Sequence, residues 1–419
     1  MRDIALTLFI FGSLFYALTR PKIGIYLWTW ISYMNIHRLS YGFAYSMPFA
    51  QVIALVVFIS LLISKEPKKL PINGIVILWL FFVFWMFVTT LFAIFPADAI
   101  HGLIKNIKIQ LFCFITLMLI NNRQRLEELT WITMFSIGFF GIKGGIFTIT
   151  TGGSARVWGP PQSEIEENNG LAIALLMVMP FFLYKAKLVK NKWFKRFLYF
   201  SALMMFASAI GSYSRGALLA ITAVALFSWW KSDQKILGLL VIPIIPAMVL
   251  MMPDSYMTRM NTIETYDEDE SAMGRIFAWK YAANLASDRI TGGGFGHWST
   301  ETFEIWGPEG NDTAHVAHSI YFQVIGDQGW IGFILFFSIL VSTWFYVMRI
   351  MKAAKKAGED YVWMVNFCKS LQISYIAFGV GGAFLSLCYF DLVWNLIGMA
   401  VIVGEIAKKE GLFIKKNKI

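Results

Sequence analysis

The stretch His315-Val-Ala-His318-Ser-Ile-Tyr-Phe-Gln-Val-Ile-Gly-Asp-Gln-Gly329-Trp-Ile-Gly332 joins the longest polar segment of this chain to one of its longest apolar runs. Further apolar runs lie at 73–95, 109–120, 171–184, 217–230, 236–252 and 331–348. Several approach the roughly 20 residues that cross about 30 Å of hydrocarbon. The chain of 419 residues is 57% hydrophobic and only 15% charged, against roughly 25% charged residues in soluble domains. The sequence therefore predicts an all-α polytopic membrane protein, because irregular backbone cannot face lipid. His318 then stands at the water–membrane boundary.

The net charge of +10 does not point to nucleic acid. The basic residues cluster between apolar runs, at Lys185–Arg196, Arg349–Lys356 and Lys408–Lys418, as the positive-inside rule expects of cytoplasmic segments. Working back from these anchors, Lys231–Lys235, Asn121–Glu128 and Lys65–Lys69 also fall inside. Tyr389–Asp391, Gly211–Arg215, 151–167, Pro96–Ala99 and His37–Met47 fall outside. The first 36 residues, interrupted by Arg20-Pro21-Lys22, read as two short spans or one broken helix. The N-terminal segment is expected to be retained rather than cleaved, since it has no clear cleavage site. The total is about 12 transmembrane helices, divided as N-terminal helices 1–252, a large extracytoplasmic loop 253–317 and C-terminal helices 318–419.

That loop holds four Lys/Arg against eleven Asp/Glu and is too long for a simple connection. Ser271–Ser287 reads as a helix with Ala272, Ile276, Trp279 and Ala283 on one face. Gly292-Gly-Gly-Phe-Gly296 follows as a backbone turn. A small, mostly helical cap is expected, with Trp298 and Trp306 among its aromatic residues.

Arg156, Arg215, Arg275 and His318 come from separate segments but share the outer boundary in this topology. Arg215 opens an apolar helix on the side where arginine is disfavoured, and ionisable groups at membrane depth are commonly paired or functional. A guanidinium fork matches phosphate oxygens through two parallel hydrogen bonds, although snorkelling to headgroups would also place an arginine there. Arg275 would equally suit an ion pair with nearby acids. His318 has the ordinary pKa, about 6.5, of a general base working near neutrality, but would equally suit a buried structural role.

His315-x-x-His318 lacks a third ligand at convincing spacing. Asp267-Glu-Asp269 reads better as an acidic helix N-terminus than as a metal motif. Cys113, Cys368 and Cys388 show no paired spacing. With no Walker A, dinucleotide or Gly-x-Ser-x-Gly motif, no cofactor or metal is expected, and the driving energy falls to the substrate.

Arg215-x-x-x-Leu219, and His318-Ser319 followed after nine residues by Gly329-x-x-Gly332, resemble the two signatures of the O-antigen ligase and polymerase superfamily of bacterial inner-membrane glycosyltransferases. Arg20-Pro-Lys-Ile-Gly, Gly152-Gly-Ser-Ala-Arg-Val-Trp-Gly-Pro, Asn168-Asn-Gly-Leu-Ala, Ser212-Tyr-Ser-Arg-Gly-Ala-Leu-Leu and Ala317-His-Ser-Ile-Tyr-Phe-Gln extend the likeness. They resemble the branch of O-glycosylation ligases associated with exosortase systems. The resemblance implies a GT-C-type fold, with a glycan on undecaprenyl diphosphate as donor and a hydroxyl of lipid A–core oligosaccharide as acceptor. It implies metal-independent, inverting transfer facing the periplasm. His318 would be the general base, with Arg215, Arg275 and Arg156 at the donor diphosphate. A polymerase or a ligase acting on protein hydroxyls would use the same donor residues. A transporter of lipid-linked sugars would need polar residues continuing towards the cytoplasmic side.

Overall fold

The computed structural model describes residues 1–231, 270–308 and 313–413, and all regular structure among them is helical. The first nine helices are α1 (Arg2–Thr19), α2 (Pro21–Met34), α3 (Phe49–Ile63), α4 (Gly74–Leu91), α5 (Pro96–Leu119), α6 (Arg123–Thr150), α7 (Asn168–Leu188), α8 (Lys192–Ile210) and α9 (Arg215–Lys231). After residues 232–269 come α10 (Glu270–Asp288), α11 (Thr300–Trp306), α12 (Ile320–Ala357), α13 (Val362–Gly381) and α14 (Asp391–Lys409). Six of them, α1, α4, α5, α6, α7 and α12, are long and apolar enough to cross a membrane. The span expected at 236–252 and the Asp267–Asp269 motif lie outside the described residues.

Local chemistry sets many boundaries. Arg20 takes φ −131° and ψ 81° ahead of Pro21, because proline disfavours a helical predecessor. Pro21 then opens α2, where its missing N–H costs nothing. The two helices run antiparallel: the Phe9 and Trp30 rings lie 5.5 Å apart, and the Asp3 carboxylate accepts from Gly42 N and Ala44 N, both at 3.1 Å. The N-terminal segment is thus two helices. Asn73, Asn122 and Asn191 cap α4, α6 and α8 by accepting from first-turn amides, the role for which asparagine is favoured.

The connections gather at two ends, and they are the same two sets that the charge pattern separates. At one end Lys22 pairs with Glu128 at 3.1 Å, Arg125 with Glu66 at 2.6 Å, and Lys185 with Glu127. Arg123 lies 4.4 Å over the Trp363 ring, and Lys409 donates to Asn121 O at 3.0 Å. At the other end Asn35 donates to Pro161 O at 2.6 Å. There Val157 N donates to Gly211 O at 3.3 Å and Asn168 to Ser212 O at 2.6 Å. The three cysteines are free and buried.

α12 is not one straight helix. Gly329 has φ 67° and ψ −176°, a conformation only glycine adopts without strain. The break frees carbonyls, and the glycine turn after α10 satisfies them. Gly293 N donates to Gly326 O at 2.8 Å and Gly294 N to Asp327 O at 3.0 Å. Trp85 Nε1 donates to Gln328 O at 2.7 Å. A Cβ at Gly329 would lie 2.2 Å from Ile290 O, and one at Gly292 would lie 2.5 Å from Gly326 O. The two glycine-rich stretches therefore interlock, and irregular backbone at this depth is buried in protein, as a membrane setting demands.

Around the glycine turn, α10 and α11 are helical as expected, but α10 buries a different stripe. Gly274, Ala278, Tyr281, Ala282, Leu285 and Ala286 are its buried residues, whereas Ala272, Ile276, Trp279 and Ala283 are half-buried. The reason is double packing. Ala282 and Ala286 sit on Ile325 of α12, while Tyr281 and Leu285 pack with Phe303 of α11. Arg275, near the start of α10, lines the cavity described next.

Candidate active site

The turn Ser212-Tyr-Ser-Arg215 is built to present an arginine. Ser214 accepts from Ala217 N at 3.1 Å and caps α9, so Arg215 is the first helical residue. Tyr213 adopts φ 60°, and its hydroxyl donates to Gly153 O. The result is a guanidinium at a helix N-terminus, where amide groups and the helix dipole already favour an anion.

Arg215 and Arg275 line the same pocket. Its other walls are Asn169 and Ile173 of α7, Ser214 and Gly216, and Gly381, Phe384 and Leu385 at the end of α13. Two cations from separate segments thus converge beside helix N-termini. Both side chains also interact with protein groups.

His318 immediately precedes the Ser319 cap of α12, is half-buried and adopts φ 41°. Burial and then the positive charge of Arg275 lower its pKa, partly offset by Glu167. Arg275 therefore stands near both Arg215 and His318. Trp279, one turn after Arg275, donates from its indole to Ala317 O at 2.8 Å and stacks on Phe322 with centroids 5.0 Å apart. It fixes the backbone beside the histidine.

Arg156 is placed differently. It is exposed in the 151–167 loop, at the same end of the molecule, and is not among the residues that line the pocket. His315 packs by the Phe277 and Phe303 rings, at 6.3 and 6.1 Å. Among the described residues, no three His, Cys, Asp or Glu side chains gather as metal ligands. The two tryptophans serve the cap. Trp298 donates to Asp327 Oδ1 at 2.9 Å and packs on His297 and Tyr281, while Trp306 donates to Asp288 Oδ2 at 2.9 Å.

The sequence reading assigned Trp279 only to a helix face, and it did not single out Glu167 or the buried chain of Tyr281, His297 and Asp327. Trp279 could have been found, being four residues from Arg275 and so on the same helix face. Asp327 carried one signal, a carboxylate entering an apolar helix. His297 carried none.

Residues 1–190 match the model of a family of unknown function. Residues 200–337, which include Arg215, Arg275, His318 and Gly329-x-x-Gly332, match that of the O-antigen ligase family. No curated protein matches the chain. Residues 200–337, the segment that carries Arg215, Arg275 and His318, are thus a domain of the O-antigen ligase and polymerase superfamily.

Proposed function

We propose that this protein is an O-antigen ligase-type glycosyltransferase, moving a glycan from undecaprenyl diphosphate to a hydroxyl of lipid A–core oligosaccharide. The observation that supports this most is the shared cavity of Arg215 and Arg275, with His318 close enough to feel the Arg275 charge. Two guanidiniums and the α9 N-terminus can take the charge that develops on a departing diphosphate. A histidine whose pKa is lowered is neutral near pH 7 and able to accept a proton.

In the reaction, His318 takes the proton of the acceptor hydroxyl as its oxygen attacks the anomeric carbon from the face opposite the diphosphate. The new C–O bond forms as the bond to the diphosphate breaks, the configuration inverts, and the electron pair leaves on the phosphate oxygen. Arg156, from the loop above, would meet the outer part of the donor. The positive-inside pattern supports an active site on the periplasmic side of a bacterial inner membrane.

A polymerase joining lipid-linked repeats and a ligase for protein hydroxyls would use the same donor site. Purified protein in membranes, supplied with undecaprenyl-diphosphate glycan, lipid A–core and EDTA, should form glycosylated lipid A–core, and His318→Ala should abolish it. Elongated lipid-linked glycan instead would assign a polymerase. Full transfer by folded His318→Ala would remove the histidine from the mechanism.

A further inference from the structure

A second concave site lies at the opposite end of the molecule. Residues 330–348 of α12 carry no charge, and at about 1.5 Å per residue they span roughly the 30 Å of hydrocarbon. Arg349 is the first charge after them and so falls at headgroup depth. Arg349, Lys352 and Lys356 follow at helical spacing, and with Ala353 and Ala357 they form one wall of a pocket of about 660 Å³. This lies within the roughly 300–1,000 Å³ of small-molecule sites. The two alanines leave the space that longer side chains would fill.

The end of α14 forms the other wall. Gly411 takes φ 76°, and Leu412 N donates to Ala407 O at 3.0 Å while Gly411 N donates to Lys408 O at 3.1 Å. This helix-ending motif turns the chain back, so Leu412 and Phe413 line the pocket. Phe413 sits 5.2 Å from the Arg349 guanidinium. Tyr361 closes one side, and Glu410 is the sole carboxylate among the lining residues. Among the described residues, none of the three cations belongs to an ion pair.

We infer that this pocket binds the headgroup of an anionic phospholipid. Three cations meet one carboxylate around a cavity at headgroup depth, and its wall is aromatic and aliphatic. A phosphodiester with acyl chains satisfies both parts, since the cations take the phosphate while Leu412, Phe413 and Tyr361 take the glycerol and upper chains. Basic pockets beside the cytoplasmic ends of membrane helices recognise such headgroups. The site is remote from the arginine cavity and does not depend on the transfer reaction.

The test is native mass spectrometry of the full chain released from detergent, titrated with phosphatidylglycerol, phosphatidylethanolamine or inorganic phosphate. Saturable phosphatidylglycerol binding is expected, with neither of the others competing at equal concentration. The Arg349→Gln/Lys352→Gln/Lys356→Gln variant should bind about a hundred-fold more weakly, each cation near an anionic surface contributing roughly a five-fold factor. Phe413→Ala, which changes no charge, should also weaken binding. Lys190→Gln/Lys192→Gln/Lys195→Gln, exposed cations outside the pocket, should leave it unchanged. Equal loss in both triple variants would reduce the effect to general surface attraction and overturn the proposal. Equal affinity for phosphatidylethanolamine, or competition by inorganic phosphate, would overturn it as well.

Discussion

His297 Nε2 lies 3.1 Å from Asp327 Oδ1, and both side chains are buried. A carboxylate only accepts, so Nε2 carries the hydrogen. On the other ring nitrogen, Nδ1 meets the Tyr281 hydroxyl at 2.7 Å, while Trp298 gives Asp327 a second donor. This chain links α10, which carries Arg275, to the broken start of α12, which follows His318. Truncating one member of a buried pair leaves the others desolvated and unsatisfied. Asp327→Ala should therefore lower folding stability by about 3 kcal/mol or more, seen as a reduced melting temperature in detergent. An unchanged melting temperature would mean that the contact does not hold the cap.

Much of this architecture was legible in the sequence, because a bilayer imposes strong rules on it. Apolar length and clustered Lys/Arg separated the two ends, and Arg20-Pro21 marked a break without deciding between a reversal and a bent helix. Gly211–Arg215 was expected as an outer turn, and α8 stops at Ile210 while α9 starts at Arg215. The face of α10 was not legible. Periodicity favoured Ile276 and Trp279, but the helix is sandwiched between α11 and α12, and small alanines with Tyr281 won the close contacts. Nor was the His297–Asp327 pair legible, since a contact across 30 residues leaves no trace in spacing.

Arg215 offers the sharpest test of the diphosphate role. Its position at the α9 N-terminus places charge in the cavity, so lysine would preserve the sign but not the planar, two-pronged geometry. Arg215→Lys should lower kcat/KM for the lipid-linked donor roughly ten- to hundred-fold, equivalent to about 1.4–2.7 kcal/mol of transition-state stabilisation. Steady-state kinetics on folded variant decides it. Wild-type kcat/KM would show that charge alone suffices, or that the arginine serves only the fold.

The pH profile should report the neighbours of His318. Its pKa is lowered by burial and by Arg275, and raised by Glu167, so the neutral, proton-accepting form persists below the ordinary value of about 6.5. Activity should fall only as pH drops through the lowered pKa. Arg275→Gln removes a repulsive charge and should move that acid limb upward, whatever it does to the maximal rate. Glu167→Gln removes an attractive charge and should move the limb downward. Matched profiles of kcat/KM against pH measure both shifts. Limbs that stay in place would detach the titrating group from His318.

Trp279 is predicted to position rather than react. Its indole N–H holds Ala317 O at 2.8 Å, one residue before the histidine, while its ring stacks on Phe322. Trp279→Phe keeps an aromatic surface but removes the donor, leaving the backbone beside His318 free to drift. Misplacement of about 1 Å at a catalytic group can cost on the order of a hundred-fold in rate. The variant should therefore lose kcat with little change in KM, since the Arg215 end of the cavity is untouched. Trp279→His, with a ring N–H in reach of the same carbonyl, should recover part of the loss. A rise in KM alone would instead place Trp279 against the substrate, and equal defects in both variants would leave it a packing residue of the cap.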